Sequence, residues 1–125
     1  MWLSPALSDA AGLGRLKILS AMGQPLAAEI ELVSVGKEEM SSLAAHIASP
    51  DAFNKANITF PSALLSAKAT VERRPGGQPY IRLTSTRSVD EPFIDLLIEL
   101  TWNTGRIVRE YTALLDPPGI VPGRR

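Results

Sequence analysis

The sequence predicts a mostly β domain, an immunoglobulin-like antiparallel β-sandwich that carries a short helical insertion. At least five runs alternate apolar and polar residues, which is the period of a strand with one buried face. Ten prolines and nine glycines are spread over 125 residues, so turns separate many short elements. Helical patterns do not alternate with the strand patterns, which argues against a parallel sheet.

The first two strands are predicted to form an antiparallel pair. Residues 15–20 and 28–33 both alternate, and a turn containing glycine and proline joins them. The second run has the clearest pattern, with glutamates on its polar face and aliphatic residues on the other. Arg15 and Lys17 are expected to face these glutamates across the pair, which gives the charges a structural role.

Residues 37–57 are predicted to form the helical insertion. Apolar residues recur at helical spacing in its first half and predict one short helix. These residues are Met40, Leu43, Ala44 and Ile47. A second helix is expected to begin at Ser49–Pro50, since serine caps and proline suits the first helical position. It should end near Asn57, because asparagine tolerates the left-handed conformation of a helix end.

Strand patterns return after the helices and continue to the end of the domain. The predicted strands cover residues 67–72, 80–85, 93–102 and 107–115. A Pro-Gly-Gly turn joins the first two, because proline presets the first turn position and glycine accepts positive φ. Leu97 lies on the polar face of the longest run, which indicates that this strand is central in its sheet. Six or seven strands are expected in all.

The predicted domain comprises residues 13–116. Residues 1–12 are interpreted as a signal-peptide remnant or a disordered N-terminus, because Ser8 and Ala10 are small residues two apart. Residues 117–125 are rich in proline, glycine and arginine and are interpreted as the start of a linker or an artificial tail. No apolar run approaches the roughly 20 residues of a membrane-spanning helix, so no direct membrane insertion is expected.

Composition excludes several kinds of chemistry. The chain has no cysteine and one histidine, His46, which leaves no disulfide, no thiolate nucleophile and no histidine cluster. Thirteen basic and thirteen acidic residues balance, which does not favour nucleic acid or an anionic membrane as a partner. We therefore predict no cofactor, no metal and no nucleic acid, and expect His46 to be a half-exposed structural residue.

Two further features leave alternatives open. Paired carboxylates on one strand face suit a glycoside hydrolase, which needs an acid and a nucleophile. These pairs are Glu29 with Glu31 and Asp95 with Glu99. Trp102 and Tyr111 flank the last hairpin and would suit a glycan-binding patch if they were exposed beside one of these acids. Solvated strand faces and core aromatic residues are the commoner explanations of these two features, so no catalytic residue is predicted.

Two turns are the candidate interaction sites. Strand edges and hairpin tips expose backbone groups, and the first tip also carries positive charge. The candidate residues are Arg73, Arg74, Gly76 and Gly77 at the first tip, and Asn103 and Arg106 at the second turn.

Several segments together resemble the N-terminal domain of the FimV family over about residues 12–118. They are Gln24–Leu32, Ala48–Phe53, Glu91–Trp102, Gly105–Arg106, Arg109–Thr112 and Leu114–Pro118. The resemblance implies a periplasmic domain of a large inner-membrane protein that supports type IV pilus assembly, twitching motility and organisation of the cell pole. A peptidoglycan-binding LysM module, a membrane helix and cytoplasmic repeats usually follow in that family and are not in this sequence.

The resemblance supplies no catalytic residues. The expected function is therefore that of a non-catalytic, exported interaction domain whose partners are cell-envelope proteins of the pilus assembly machinery. The alternative hypothesis is a peptidoglycan- or glycan-binding module. A carboxylate-based envelope hydrolase is a third, less favoured hypothesis.

Overall fold

The computed structural model describes residues 11–117, which form two facing antiparallel sheets. The elements in chain order are β1 (Gly12–Ile18), β2 (Gln24–Val33), α1 (Lys37–Met40), β3 (Ala44–Ile47), α2 (Pro50–Lys55), a 3₁₀ helix (Ser62–Ser66), β4 (Ala67–Arg73), β5 (Pro79–Val89), β6 (Phe93–Trp102) and β7 (Gly105–Leu114). The four-stranded sheet has the order β1-β2-β5-β4 and the three-stranded sheet the order β3-β6-β7. The predicted immunoglobulin-like sandwich is confirmed.

The four-stranded sheet follows the alternation of its sequence. Aliphatic side chains of β2 point into the core, and Ile30 is fully buried. Lys17 lies opposite Glu29, as predicted. The register of β1 shifts between Leu13 and Leu16, so Arg15 lies at a bulge. This sheet therefore has one apolar face toward the core and one charged face outside.

The three-stranded sheet is built around β6. This strand lies between β3 and β7, which confirms the central position that Leu97 indicated. The inward side chains of β6 form the middle of the core, at 2% exposure or less. They are Ile94, Leu96, Ile98 and Leu100. The pairing of β6 with β7 runs without interruption from Phe93–Leu114 to Trp102–Gly105.

The predicted first helix is largely wrong. Helix α1 ends at Met40, and Ala44–Ile47 form strand β3, which pairs with β6. The apolar residues of this segment fit both the helical period and the strand period. Long-range pairing with β6 makes the segment a strand. The sequence patterns also predict neither β3, which separates α1 from α2, nor the 3₁₀ helix at Ser62–Ser66.

The predicted second helix is confirmed. The Ser49 hydroxyl accepts a hydrogen bond from the Ala52 N–H at 3.2 Å, and Pro50 occupies the first helical position. Asn57 has φ of 62° just after the helix, as expected for a residue that tolerates the left-handed region.

The predictions for residues 1–10 and 118–125 fall outside the described residues, and the predicted domain bounds stay a prediction. At the C-terminal end, Asp116 forms a parallel bridge with Ala21 and so ties the chain after β7 to the segment between β1 and β2. Across residues 11–117, none of the helices has the length and apolar character needed to cross a membrane.

Candidate interaction surface

The β4–β5 turn forms an exposed tip, as predicted. Residues 72–78 are all exposed. The Gly77 N–H donates to the Arg74 carbonyl at 2.7 Å, and Gly77 has φ of +93°, which glycine adopts without strain. Gly76 and Gly77 have open space where a side chain would be. The backbone of the tip is therefore accessible from solvent.

Arg74 holds the tip against the sheet. Its guanidinium donates to the Glu29 carboxylate at 2.7 Å and lies 4.1 Å from the centre of the Tyr80 ring. The hydrogen bond to Glu29 raises the pKa of Arg74 above its usual value. Arg82 donates to the Tyr80 hydroxyl at 2.8 Å from the other side. Tyr80 is only 5% exposed although it lies on the outer face, because these two guanidinium groups cover it.

Arg73, the other arginine of the tip, has a different environment from Arg74. It is exposed, and the structure gives it no ion pair with any residue in the range 11–117. The two arginines predicted as one basic site thus have different environments.

A shallow depression of about 450 Å³ lies between the tip and α1. Gly76 and Gly77 line one side, and Lys37 and Met40 of α1 line the other. Ser34 in its wall has φ of 57°, an uncommon conformation for a residue other than glycine. Such strain is often found at binding surfaces, and no pattern in the sequence indicates it.

The β6–β7 turn lies at the same end of the sandwich as the tip. Ser42, two residues after α1, accepts a hydrogen bond from the Asn103 N–H at 2.9 Å. Ser42 therefore ties the segment after α1 to the β6–β7 turn, and Lys37 and Met40 line the depression beside the tip. Arg106 forms an ion pair with Glu99 and is still largely exposed. Together the tip, the depression and the β6–β7 turn form one surface, which we call the end surface.

Gly105 closes the β6–β7 hairpin through close packing. A side-chain carbon at this position would lie 2.5 Å from Cζ2 of Trp102, so the indole lies directly against the glycine backbone. Trp102 is half-buried and also packs on the core. Its position is that of a structural residue.

The glycan-binding arrangement is not formed. Tyr111 points inward, is 8% exposed and donates from its hydroxyl to the Gly14 carbonyl at 2.6 Å. Burial raises the pKa of Tyr111. Asp95 and Glu99 alternate with the buried residues of β6 and so lie on the opposite, outer face of their sheet. The aromatic residues and the acids are therefore on different sides of one sheet.

Three of the four paired carboxylates, Glu29, Asp95 and Glu99, have side-chain partners. Glu29 pairs with Arg74, and Asp95 accepts from the Thr112 hydroxyl at 3.2 Å. His46 is exposed on β3, opposite Glu99, rather than half-exposed beside a helix. Within residues 11–117, no group of three or more His, Asp and Glu side chains is arranged to hold a metal ion. Every buried side-chain polar atom in this range has a hydrogen-bond partner.

These features define an immunoglobulin-like domain whose polar side chains mainly hold strands and turns in place. The profile of the FimV N-terminal domain, described as an Ig-like domain, matches residues 11–118. The chain belongs to this family, as the resemblance indicated.

Two relatives give the family its context. Proteins named "Motility hub protein FimV", from Pseudomonas aeruginosa strains PAO1 and UCBPP-PA14, are each 40% identical to the chain over 116 residues. The matched region covers 93% of this chain and 13% of each relative, so the chain spans a small part of these proteins. No solved structure matches the chain significantly.

Proposed function

We propose that this chain is a non-catalytic interaction domain of a FimV-like envelope protein and that it supports type IV pilus assembly and twitching motility from the periplasm. The observation that carries the proposal is the 40% identity, over 93% of the chain, to proteins named as motility hubs. A hub acts by binding other proteins, and an immunoglobulin-like sandwich with exposed turns suits that role.

The arrangement of titratable groups supports a non-catalytic role. Active sites usually place such groups in a cleft that shifts their pKa. The buried group with a raised pKa here is Tyr111, and its hydroxyl already donates to the Gly14 carbonyl. Glu31 and Asp95 are exposed on the outer faces of the sheets.

We assign partner binding to the end surface. Its tip supplies free backbone at Gly76 and Gly77 and a positive charge at Arg73, and its other turn supplies Asn103 and Arg106. Such a surface is polar, which suits a modest-affinity contact with an envelope protein of the pilus machinery. Arg74 contributes indirectly, because its bonds to Glu29 and Tyr80 fix the tip.

A domain replacement tests the function. Residues 11–117 replace the matched region of FimV in P. aeruginosa, and the diameter of the twitching zone is measured. We expect the chimera to twitch further than a strain that lacks the domain. A chimera that stays at the level of the deletion strain, with equal amounts of protein, would contradict the proposal.

Alkaline phosphatase fused after residue 117 tests the periplasmic location, since this enzyme is active only after export.

A charge reversal tests the surface. Arg73→Glu is expected to reduce the twitching zone of the chimera without changing its melting temperature, because Arg73 has no ion pair to lose within the described residues. Lys68→Glu is the matched control, since Lys68 is exposed on the same strand and lies outside the end surface. If the two substitutions reduce the twitching zone equally, the total charge of the domain affects twitching and the tip has no specific role.

A further inference from the structure

Strand β7 has the longest uninterrupted sheet edge in the described part of the chain. It is the last strand of the three-stranded sheet and pairs with β6 over ten residues. The Leu115 N–H donates to the Pro92 carbonyl at 2.9 Å, which fixes the alternation of the hydrogen bonds. The odd-numbered residues of β7 direct their backbone N–H and C=O groups toward β6. Residues 106, 108, 110 and 112 direct theirs away from β6. Within residues 11–117, no hydrogen bond of the structure uses these outward backbone groups.

The other sheet edges are protected against pairing. Strand β1 has a bulge, and its Leu13 and Gly14 carbonyls accept hydrogen bonds from Arg109 and Tyr111 at 2.8 and 2.6 Å. Strand β3 has four residues, and β4 carries Lys68. Short edges, bulges and edge lysines are the usual protections. Strand β7 has no bulge, no proline and no lysine.

The outward side chains of β7 are complementary to themselves. Arg106, Val108 and Glu110 share the outer face, and Val108 is 41% exposed. If a second β7 lies antiparallel with the two-fold axis at Val108, Arg106 of each copy faces Glu110 of the other. In this register the pairs are 106–110, 108–108 and 110–106, and all of these residues have outward backbone groups. Each such pair exchanges two hydrogen bonds, so the two strands share about six.

Other registers lose the complementarity. If the second β7 is shifted by two residues in one direction, Arg106 lies opposite Thr112 and loses its charge partner. A shift by two more residues brings the two Glu110 side chains opposite each other. A shift by two residues in the other direction places Arg106 opposite Val108, again without a charge partner. Like charges directly opposite each other destabilise a strand pair, whereas opposite charges stabilise it. The register centred on Val108 is the one that pairs both charges.

We propose that this domain self-associates by antiparallel pairing of β7 with β7 of a second copy, centred on Val108. The two three-stranded sheets then form one continuous sheet. The ion pair of Arg106 with Glu99 is compatible with this arrangement, because a guanidinium has further donors for the Glu110 carboxylate of the second copy. Pairing through one strand buries little surface, so the dimer is weak and reversible. This proposal does not depend on the proposed function.

Charge reversal tests the register. The 125-residue chain is measured by sedimentation equilibrium over increasing concentration, and its mean mass should rise toward that of a dimer. Glu110→Arg and Arg106→Glu should each weaken the association about tenfold or more, because each creates two like-charge contacts per dimer. An equimolar mixture of the two variants should associate as the parent does. Glu38→Arg, with the same change of charge on exposed α1, should have no effect.

Amide exchange on the unmodified chain gives a second readout that needs no variant. The N–H groups of Val108 and Glu110 should gain protection as the concentration rises, while those of Arg109 and Tyr111, already directed at β6, should not change. A chain that stays monomeric at every concentration overturns the proposal. Self-association that neither single reversal weakens, or that the mixture does not restore, also overturns it.

Discussion

Replacing Leu100 by alanine should strongly destabilise the domain. Leu100 has 0% exposure and lies on β6, which is flanked by strands on both sides and covered by the other sheet. Leucine-to-alanine changes at such sites cost about 2–5 kcal/mol, through lost burial and the cavity that remains. We expect the upper half of this range, because the central strand cannot move into the cavity without breaking its pairing with β3 and β7.

The matched control is Leu114→Ala in the same hairpin. Leu114 is 69% exposed on the outer face of β7, so its replacement should change the free energy of unfolding by no more than about 0.5 kcal/mol. Urea unfolding at low protein concentration, followed by circular dichroism, gives both free energies of unfolding. The slope of this free energy against urea concentration should be the same in the parent and both variants. A loss of about 3.5–5 kcal/mol corresponds to a melting temperature about 13–22 °C lower. If both variants lose the same free energy, the assignment of the two faces of this hairpin is wrong.

Three further predictions concern the packing of the domain. Tyr111→Phe should cost about 1 kcal/mol through the lost bond to Gly14. Because burial raises the pKa of Tyr111 in the folded state, the unfolded chain loses this proton first, so the parent should lose stability as the pH rises above about 10. The variant should lack this component in unfolding curves between about pH 9 and 11. Gly105→Ala should displace the Trp102 indole, lower stability by about 1–3 kcal/mol and shift the tryptophan emission, unlike alanine at Gly76. His46→Ala should leave the free energy of unfolding within about 1 kcal/mol, because the side chain is exposed.

Local patterns were sufficient to predict most of the fold. Alternation predicted the strands, and the apolar Leu97 on an otherwise polar face correctly indicated that β6 is central. The Ser49–Pro50 signal placed α2, because capping depends on neighbouring residues alone. Ala44–Ile47 was assigned to a helix because its apolar residues fit both periods, and only its pairing with β6, more than fifty residues later, makes it a strand.

The candidate site was only partly predictable for the same reason. Glycine and proline located the tip, since turn geometry is local. The sequence does not show that Arg74 bonds to Glu29, 45 residues earlier, while Arg73 has no ion pair with any of residues 11–117. Nor does it place α1 near both predicted turns, because that depends on the hydrogen bond between Ser42 and Asn103 and on the depression that Met40 shares with the tip. Side-chain partners far apart in sequence are fixed by the packed fold.

Photo-cross-linking in living cells tests most directly whether the domain acts by binding partners through the end surface. A photoreactive amino acid replaces Gly76 in the P. aeruginosa chimera, since this position has open space for a side chain. The control position is Leu65, which is 77% exposed and lies beside Arg87 and Glu91 at the opposite end of β5. We expect a cross-link from position 76 to a protein of the pilus machinery and none from position 65. Cross-links from position 65 alone, or from neither position while the chimera twitches normally, would contradict it.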